Sequence, residues 1–302
     1  MGAAPGHAVG RHGLGAHVVG QRVVVRHLLP GQTGPSGGPA VTDVLGVCTS
    51  WDDDSMTVER ADGSVVTISR RLIVSGKPVP SRPSVRGRVT PAEAHERAFA
   101  QWTDLTIERL GGWTLRRSAT HPNRRANSVL AMTPAEVEDP IARVVEWYAA
   151  AGRPPIACVQ PDSDEHDRFV GAGWQVHRQE ADTLFCLAGV AAIRRQLVEL
   201  PDFGVRLVGS GDRVEARIGE DARGQAAYSR DWIGLGGLEV RPERRRRGLG
   251  LAIMAALLDW GAEHGTTTAY LQVVADNAPA VALYDRLGFT THHAYRYLAP
   301  GG

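Results

Sequence analysis

The stretch that decides the fold is VRPERRRRGLG, residues 240–250. An apolar segment precedes it, and residues 249–258 are strongly apolar, so we predict a strand, a loop and a helix in that order. The start of a helix presents unpaired N–H groups and the positive end of the helix dipole, which favour a bound phosphate. Gly248 and Gly250 lack a Cβ atom and let a phosphate approach the backbone. The stretch therefore predicts a phosphate-binding loop more than a basic surface tract.

The composition restricts the function classes. The 302 residues carry a formal net charge of +1 and are 43% hydrophobic, which predicts folded domains and argues against a polycation that binds nucleic acid. The sequence has no apolar run of about 18 residues, the length of a membrane span. Its first residues lack the apolar core of a signal peptide. We therefore expect a cytoplasmic protein with no membrane contact, for which nucleic acid is an unfavoured partner.

The sequence does not predict a metal site. Cys48, Cys158 and Cys186 are odd in number and far apart, and they fit neither a disulfide framework nor a zinc site. His7 and His12 belong to a series that recurs every five residues, a spacing that shares neither a helix face nor one side of a strand. We expect reduced thiols and no metal.

The first 89 residues separate into three segments. Residues 1–19 are rich in Gly, Ala and His, and we expect a flexible tail. Residues 20–80 contain short strand patterns joined by tight turns, including Ala61-Asp62-Gly63, which predicts a small β-barrel that resembles an SH3-like domain. Residues 81–89 are rich in Pro and Arg and are expected to form a linker. Any protein partner or homodimer contact is expected to involve the barrel.

Residues 90–110 are predicted to form one helix. Thr90 is a candidate N-cap, a proline stands at the first helical position, and Glu93 has the spacing of a capping box. The two glycines at 111–112 are expected to end this helix.

The remaining chain contains an internal repeat. The segment PIACVQPDSDEHDRFVGAGWQVHR resembles AYLQVVADNAPAVALYDRLGFTTHH, since each has a strand, an Asp-containing turn, a short helix and a Gly-aromatic pair before another strand. Where the second copy reads LEVRPERRRRGLG, the first reads LAMTPAEVEDP and has no glycine loop. We therefore predict a duplicated α/β unit in which residues 90–189 have lost the phosphate site and residues 190–302 retain it.

The second half contains another motif downstream of the arginine loop. The segment DNAPAVALYDRLGF contains Asn277, Ala280, Tyr284, Gly288 and Phe289 at the offsets Asn-x-x-Ala-x-x-x-Tyr-x-x-x-Gly-Phe. Together with a strand ending in Val-x-Pro and the pattern Arg-x-x-Gly-x-Gly, in this order, it resembles the GNAT superfamily of acetyl-CoA-dependent N-acetyltransferases. The whole arrangement resembles actinobacterial tandem or degenerate members with an SH3-like N-terminal domain, some of them described as histone acetyltransferase-like.

The resemblance implies a fold and a co-substrate. The expected fold is an α/β GNAT fold, a mixed sheet with helices on both faces that is partly duplicated, preceded by the small all-β barrel. The expected co-substrate is acetyl-CoA, released as coenzyme A. The resemblance implies that acetyl-CoA contacts Leu238, Val240, Arg245, Arg246, Arg247, Gly248, Leu249, Gly250, Leu251, Asn277, Ala280 and Tyr284.

The resemblance also implies catalytic roles. Tyr284 would lie near the thioester sulfur, where a phenol with a pKa of about 10 can protonate the departing thiolate. Glu239 is the candidate base that takes a proton from the amine, and Asp231 and Glu220 are its rivals. Asn277 bonds the pantetheine arm, caps the following helix, or does both, and the sequence leaves these alternatives open.

The expected function is transfer of an acetyl group to a primary amine, on a protein lysine or on a small molecule, by direct attack in a ternary complex. The alternative is a catalytically weak protein that binds acetyl-CoA as a sensor or scaffold. Nucleic-acid binding through the arginines is a third and weaker interpretation. The sequence does not identify the acceptor.

Overall fold

The structure, a computed structural model, consists of two compact units, Met1–Pro83 and Ser84–Gly302. The residues that it describes are 13–34, 37–60, 63–79, 85–197 and 199–301. The predictions for residues 1–12 and 81–84 fall outside the described residues. So do the first two residues of the predicted turn Ala61-Asp62-Gly63.

The N-terminal unit is an antiparallel sheet of five strands in the order β4-β3-β2-β1-β5. Its strands are β1 (Arg22–Thr33), β2 (Pro39–Trp51), β3 (Ser55–Glu59), β4 (Val65–Ser69) and β5 (Ile73–Pro78). Alternate side chains of β1 and β2 are buried, as the two-residue period of a strand requires, and they form a core with Met56 and Ile73. The predicted all-β domain is therefore present. Within the described residues no pairing joins its outer strands β4 and β5, so these pairs do not form a closed barrel.

The described part of the predicted flexible tail is packed. Ala16–Val18 form a 3-10 turn, and Val18 is fully buried together with Leu14 in the core of the N-terminal unit. Burial of apolar side chains holds this backbone in place. Residues 13–18 of the predicted tail therefore contribute side chains to a core, which a composition rich in glycine and alanine does not reveal. Mobility of the tail stays a prediction.

The C-terminal unit combines one sheet with helices, and so it is of the α/β class. Its strands are β6 (Leu105–Leu110), β7 (Trp113–Ser118), β8 (Val129–Ala131), β9 (Ala157–Val159), β10 (Trp174–Val176), β11 (Thr183–Gly189), β12 (Arg206–Ser210), β13 (Arg213–Ile218), β14 (Ala222–Ser229), β15 (Trp232–Val240), β16 (Thr268–Val274) and β17 (Thr290–Pro300). Its helices are α1 (Pro91–Arg97), α2 (Pro140–Ala150), α3 (Asp164–Gly171), α4 (Val190–Gln196), α5 (Leu249–Glu263) and α6 (Ala278–Arg286).

The helix predicted over residues 90–110 is wrong beyond its first two turns. The capping box is present, because Glu93 N donates to Thr90 Oγ1 at 3.3 Å and Thr90 N donates to Glu93 Oε2 at 2.8 Å. However, α1 has 7 residues, a 3-10 turn follows over Ala98–Gln101, and β6 then pairs with β7. Gly111 has a φ of +58° in the turn between these strands. The two glycines therefore serve a hairpin and not a helix end.

The two halves of the C-terminal unit exchange strands. The sheet order is β12-β13-β14-β15-β16-β11-β17-β9-β8-β7-β6, with β10 paired to β17. By sequence β11 belongs to the first half, but it lies between β16 and β17, whereas the end of β17 pairs with β9 and β10. The predicted boundary between residues 189 and 190 therefore divides the sequence but not the sheet.

Helices cover both faces of the sheet, as predicted for the C-terminal unit. Ile233 of β15 packs in one core with α5, whereas its neighbour Trp232 packs in another core with Ala94 of α1. Because successive strand residues point to opposite faces, α1 and α5 cover opposite faces. A further core fills the first half around Trp113 and Tyr148.

Candidate active site

The parallel strands β15 and β16 pair only at their first residues and then separate. Their pairs run from Trp232 opposite Thr268 to Gly234 opposite Tyr270, and residues 235–240 have no partner on β16 among the described pairs. On its other edge, β15 stays paired with β14 to the end of the strand. One edge of residues 235–240 is therefore open to hydrogen bonds with a ligand.

The three glycines of β15 occupy positions with different structural requirements. Gly237 has a φ of +58° and lies at a bulge, where the register with β14 shifts. A Cβ atom at Gly234 would lie 2.2 Å from the hydroxyl of Tyr270, which packs over the strand there. A Cβ atom at Gly236 would meet nothing closer than the Gln101 side chain at 3.8 Å. Gly236 therefore leaves space beside the open edge of the strand.

A cavity of about 260 Å³ occupies the gap between the separating strands. The described residues that line it are Arg125, Leu235, Gly236, Gly237, Leu238, Glu239, Met254, Leu257, Leu271, Gln272, Val273, Val274, Asn277, Ala280 and Tyr284. The predicted site residues that meet there are Leu238, Glu239, Asn277, Ala280 and Tyr284. Val240 and the arginine-glycine loop, residues 241–250, are not part of this described lining.

The arginine-glycine loop leads into the start of α5. All four arginines of residues 244–247 are exposed. Arg244 Nε forms an ion pair with Asp221 at 3.1 Å, and Arg245 Nε donates to the carbonyl of Val240 at 3.2 Å. Two of the four guanidinium groups are therefore held by the protein itself, which leaves Arg246 and Arg247 as the more available pair.

Gly248 is the residue from which α5 begins. Its φ of +89° lies in the left-handed region, which favours glycine. Ala252 N donates to the carbonyl of Gly248, so the N–H groups of Leu249, Gly250 and Leu251 precede the first helical hydrogen bond and have no acceptor within the helix. The side chain of Leu249 is buried in the core, so this residue can contribute to a ligand site only through its backbone.

Asn277 caps α6 and also faces the cavity. Its Oδ1 accepts a hydrogen bond from Ala280 N at 3.3 Å, which is the N-cap arrangement. The structure therefore confirms the capping role among the two roles that the sequence left open. Contact of Asn277 with a ligand stays a prediction, and the capping bond is compatible with it.

Tyr284 lies on α6 at the wall of the cavity. Its ring stands edge-on to Phe289, with 5.8 Å between the ring centroids. Burial, with a smaller contribution from Cys186, raises the pKa of the Tyr284 hydroxyl above its ordinary value. The hydroxyl is therefore protonated at neutral pH and can donate a proton to a leaving group.

The structure distinguishes the three candidate bases. Glu239 lines the cavity; its side chain is 64% exposed and pairs with Arg223 at 2.7 Å. Asp231 immediately precedes β15, at the end of that strand opposite the gap, and pairs with Arg97 at 3.2 Å. Glu220 is exposed in the turn between β13 and β14. Among the three candidates, Glu239 is the one in the described lining of the cavity, and its role as the base stays a prediction.

Two polar residues of the cavity, Arg125 and Gln272, were not predicted from the sequence. Arg125 precedes β8 in the half without a glycine loop, and Gln272 lies on β16. The hydroxyl of Tyr295 connects them, because it accepts from Arg125 Nε at 3.3 Å and donates to Gln272 Oε1 at 2.5 Å. No local pattern in the sequence could reveal this cluster, since the strand exchange brings its members together.

The corresponding strands of the first half stay together. β8 and β9 pair at all three residues from Val129 to Ala131, and these residues are buried. The next helix, α2, begins after Asp139 and not after a glycine loop. The described residues of the first half therefore contain no equivalent gap between parallel strands.

Two features are absent from the part of the chain that the structure describes. It contains no group of three or more His, Cys, Asp or Glu side chains arranged to hold a metal ion. Nor does it contain a helix with both the length and the apolar character needed to cross a membrane.

Family models match both units of the chain. The model described as "Probable histone acetyltransferase Rv0428c C-terminal" matches residues 203–298, and the model described as "Rv0428c N-terminal Sm-like domain" matches residues 17–77. The small all-β domain is thus similar to Sm-like domains. This result is close to the prediction of an SH3-like domain, although it is not the same domain type. The Mycobacterium tuberculosis (strain ATCC 25618 / H37Rv) protein "Probable histone acetyltransferase Rv0428c" is 28% identical over 93% of this chain and 95% of its own length.

Other relatives match a smaller part of the chain. The "Mycothiol acetyltransferase" of Clavibacter sepedonicus is 41% identical over 26% of this chain and 28% of its own length. The "[Ribosomal protein bS18]-alanine N-acetyltransferase" of Escherichia coli (strain K12) is 44% identical over 17% of this chain and 35% of its own length. The solved structure of a GCN5-related N-acetyltransferase from Kribbella flavida has a TM-score of 0.57 and 17% identity, and the match covers 72% of this chain and 96% of that one. This last likeness shows the fold.

Proposed function

We propose that this N-acetyltransferase of the GNAT superfamily transfers the acetyl group of acetyl-CoA to a primary amine, by direct attack of the amine on the thioester while both substrates are bound. The observation that carries the proposal is the separation of β15 and β16 around a cavity that also contains Tyr284. Such a transfer uses an open strand edge to hold the thioester and a proton donor for the leaving group, and a helix start nearby can bind the phosphates of the co-substrate.

The chain offers a fitting site for the pyrophosphate and the pantetheine arm. The N–H groups of residues 249–251, free of helical acceptors, suit the pyrophosphate. Residues 235–240 have an open edge that can hydrogen-bond the amides of the arm as a neighbouring strand would. The backbone N–H groups of this edge are then available to polarise the thioester carbonyl near Leu238 and Val240.

Two side chains handle protons in the proposed reaction. Tyr284 donates its hydroxyl proton to the departing sulfur of coenzyme A, a role supported by its position in the cavity wall. Glu239 accepts the proton that the amine loses, directly or through water, a role supported by its position in the same cavity. The carbonyl carbon exchanges its bond to sulfur for a bond to nitrogen, and no redox step occurs.

The proposed acceptor is a primary amine, either on a protein lysine or on a small molecule. The name of the Mycobacterium tuberculosis relative supports a protein acceptor, and the name of the Clavibacter sepedonicus relative supports a small one. Recruitment of a protein partner, or homodimerisation, through the N-terminal unit stays a prediction, as does a cytoplasmic location.

Calorimetric titration with acetyl-CoA and release of coenzyme A in the presence of an amine panel test the proposal together. Binding with turnover is the expected result. Absence of binding at tens of micromolar acetyl-CoA contradicts the proposal, and binding without turnover on any amine favours the alternative, a protein that senses or carries acetyl-CoA.

A further inference from the structure

Arg125 is a permanently charged side chain at the cavity, and no ion pair joins it to an acidic side chain among the described residues. Its side chain is partly buried and lines the gap between β15 and β16. Burial acts on the pKa of Arg125 most and lowers it, and the side chains that act on it next are Tyr295, Tyr297 and Cys158. These three are neutral at neutral pH, and burial raises their own pKa values further. Since arginine stays protonated, this cation is only partly compensated by the described residues.

Arg124 and Arg116 differ from Arg125 in that each has a partner for a terminal guanidinium nitrogen. Arg124 pairs with Glu180 and lies over the ring of Tyr297. Arg116 donates to the carbonyl and to the hydroxyl of Ser128. In contrast, the one hydrogen bond found for Arg125 within the described residues uses Nε, which leaves both terminal nitrogens of its guanidinium group available. These terminal nitrogens form the fork that binds a carboxylate with two parallel hydrogen bonds.

The guanidinium group is held in position by an ordered hydrogen-bond chain. Tyr295 is fully buried, and its hydroxyl links Arg125 Nε to Gln272 Oε1, so the cation is attached to a strand that forms one wall of the cavity. A guanidinium group fixed in this way loses little conformational entropy when an anion binds. This is the arrangement of a preorganised recognition group and not of a solvated surface arginine.

Arg125 approaches the gap from the face opposite α5. On β16, Leu271 and Val273 pack in the core that contains α5 and that Tyr284 borders. Gln272 lies between them in sequence, so its side chain and the Tyr295–Arg125 chain attached to it lie on the other face. The proton donor and the helix start thus belong to one face of the sheet and Arg125 to the other, which suits two substrates that meet in the gap.

We propose that Arg125 binds a carboxylate of the acceptor, and that the acceptor is a small amine that carries a carboxylate, such as an amino acid. This inference rests on the proposed acetyl transfer. Arg125 is the one cation among the described residues of the cavity lining, and a single guanidinium fork matches the charge and plane of one carboxylate. The first half, without a glycine loop, thereby contributes specificity to the site of the second half.

Release of coenzyme A with matched acceptors tests the inference. The pairs are lysine against cadaverine, its decarboxylated form, and phenylalanine against phenylalanine amide. For wild-type protein we expect kcat/KM to be roughly 10- to 100-fold higher for the acceptor with the carboxylate, the range of a charge-assisted hydrogen bond. Arg125→Gln should remove this preference, Arg125→Lys should retain part of it, and the control Arg124→Gln should retain all of it.

The outcomes separate the inference from the function on which it rests. Equal acetylation of both members of each pair by wild-type protein overturns the inference and leaves acetyl transfer intact. A preference that survives in Arg125→Gln also overturns it. If acetyl-CoA binds and no amine is acetylated, the transfer proposal fails, and calorimetry with lysine then decides on the site. Lysine binding that is lost in Arg125→Gln supports a carboxylate site, whereas equal or absent binding contradicts it.

Discussion

Replacement of Gly248 by aspartate or by asparagine isolates the electrostatic role of the loop. The two substitutions have nearly the same shape, and both residues tolerate the left-handed region better than other side chains do. At Gly248, with φ +89°, each should cost about 1 kcal/mol of folding stability. A Cβ atom there would lie 3.4 Å from the ring of Phe203, an ordinary contact, so neither variant creates a clash.

The two variants should differ in their affinity for acetyl-CoA. A carboxylate about 5 Å from the two charges of a pyrophosphate, at an effective dielectric constant of roughly 40, costs on the order of 3 kcal/mol. The Kd of Gly248→Asp should therefore be about 100-fold higher than that of Gly248→Asn, and the difference should shrink at high salt. Calorimetric titration at low and high salt measures it.

A surface arginine of the same loop provides the control. Arg244→Ala removes an exposed ion pair with Asp221, which is worth at most about 1 kcal/mol, and it should leave the Kd for acetyl-CoA nearly unchanged. Equal Kd values for the aspartate and asparagine variants at Gly248 would refute the proposal that the start of α5 holds the pyrophosphate. A large loss of affinity in Arg244→Ala would instead assign binding to the arginine charges.

Three further predictions follow from the site and its surroundings. Tyr284→Phe should lower kcat by about 10²- to 10⁴-fold in a coenzyme A release assay while the Kd for acetyl-CoA stays constant, and an unchanged kcat contradicts the acid role. Glu239→Gln should lower kcat/KM for the amine by roughly 10- to 100-fold, whereas Glu220→Gln in its exposed turn should not; equal effects of the two argue against Glu239 as the base. Burial, with a contribution from His292, lowers the pKa of His293 to about 3, so between about pH 6.5 and 3 the unfolded chain binds a proton that the folded state does not. Stability should therefore fall as pH decreases through this window, by up to about 1.4 kcal/mol per pH unit from this group, and thermal unfolding at pH 7.5 and pH 5 should show a smaller decrease for His293→Phe than for wild type.

Local patterns succeeded where a short segment determines its own structure. The capping box at Thr90 is formed, and the strand, loop and helix around residues 240–250 occur in the predicted order. These features depend on residues that are close in sequence and on the backbone conformations that those residues prefer, so a short segment is enough to predict them. The helix predicted beyond α1 failed, because β6 is stabilised by its pairing with β7 and not by its own residues alone.

The candidate site was predicted in part. Leu238, Glu239, Asn277, Ala280 and Tyr284 meet in one cavity, and all of them belong to motifs that are contiguous in sequence. The choice among three carboxylates as base was open, since their distances from the gap depend on where β15 and its turns lie in the sheet. Contact of these residues with acetyl-CoA stays a prediction.

The sequence by itself determined the α/β fold class of the protein and its resemblance to N-acetyltransferases. These depend on alternating strands and helices, a glycine loop at a helix start and a tyrosine motif at fixed offsets, all of which are local properties. Only the tertiary structure decided how the two halves cooperate. The exchange of β11 and β17 joins their strands in one sheet, and it brings Arg125 of the first half to a cavity of the second. Such a meeting depends on long-range strand pairing, which no spacing in a single sequence records. The half without a glycine loop thereby contributes a side chain to the cavity of the half that has one.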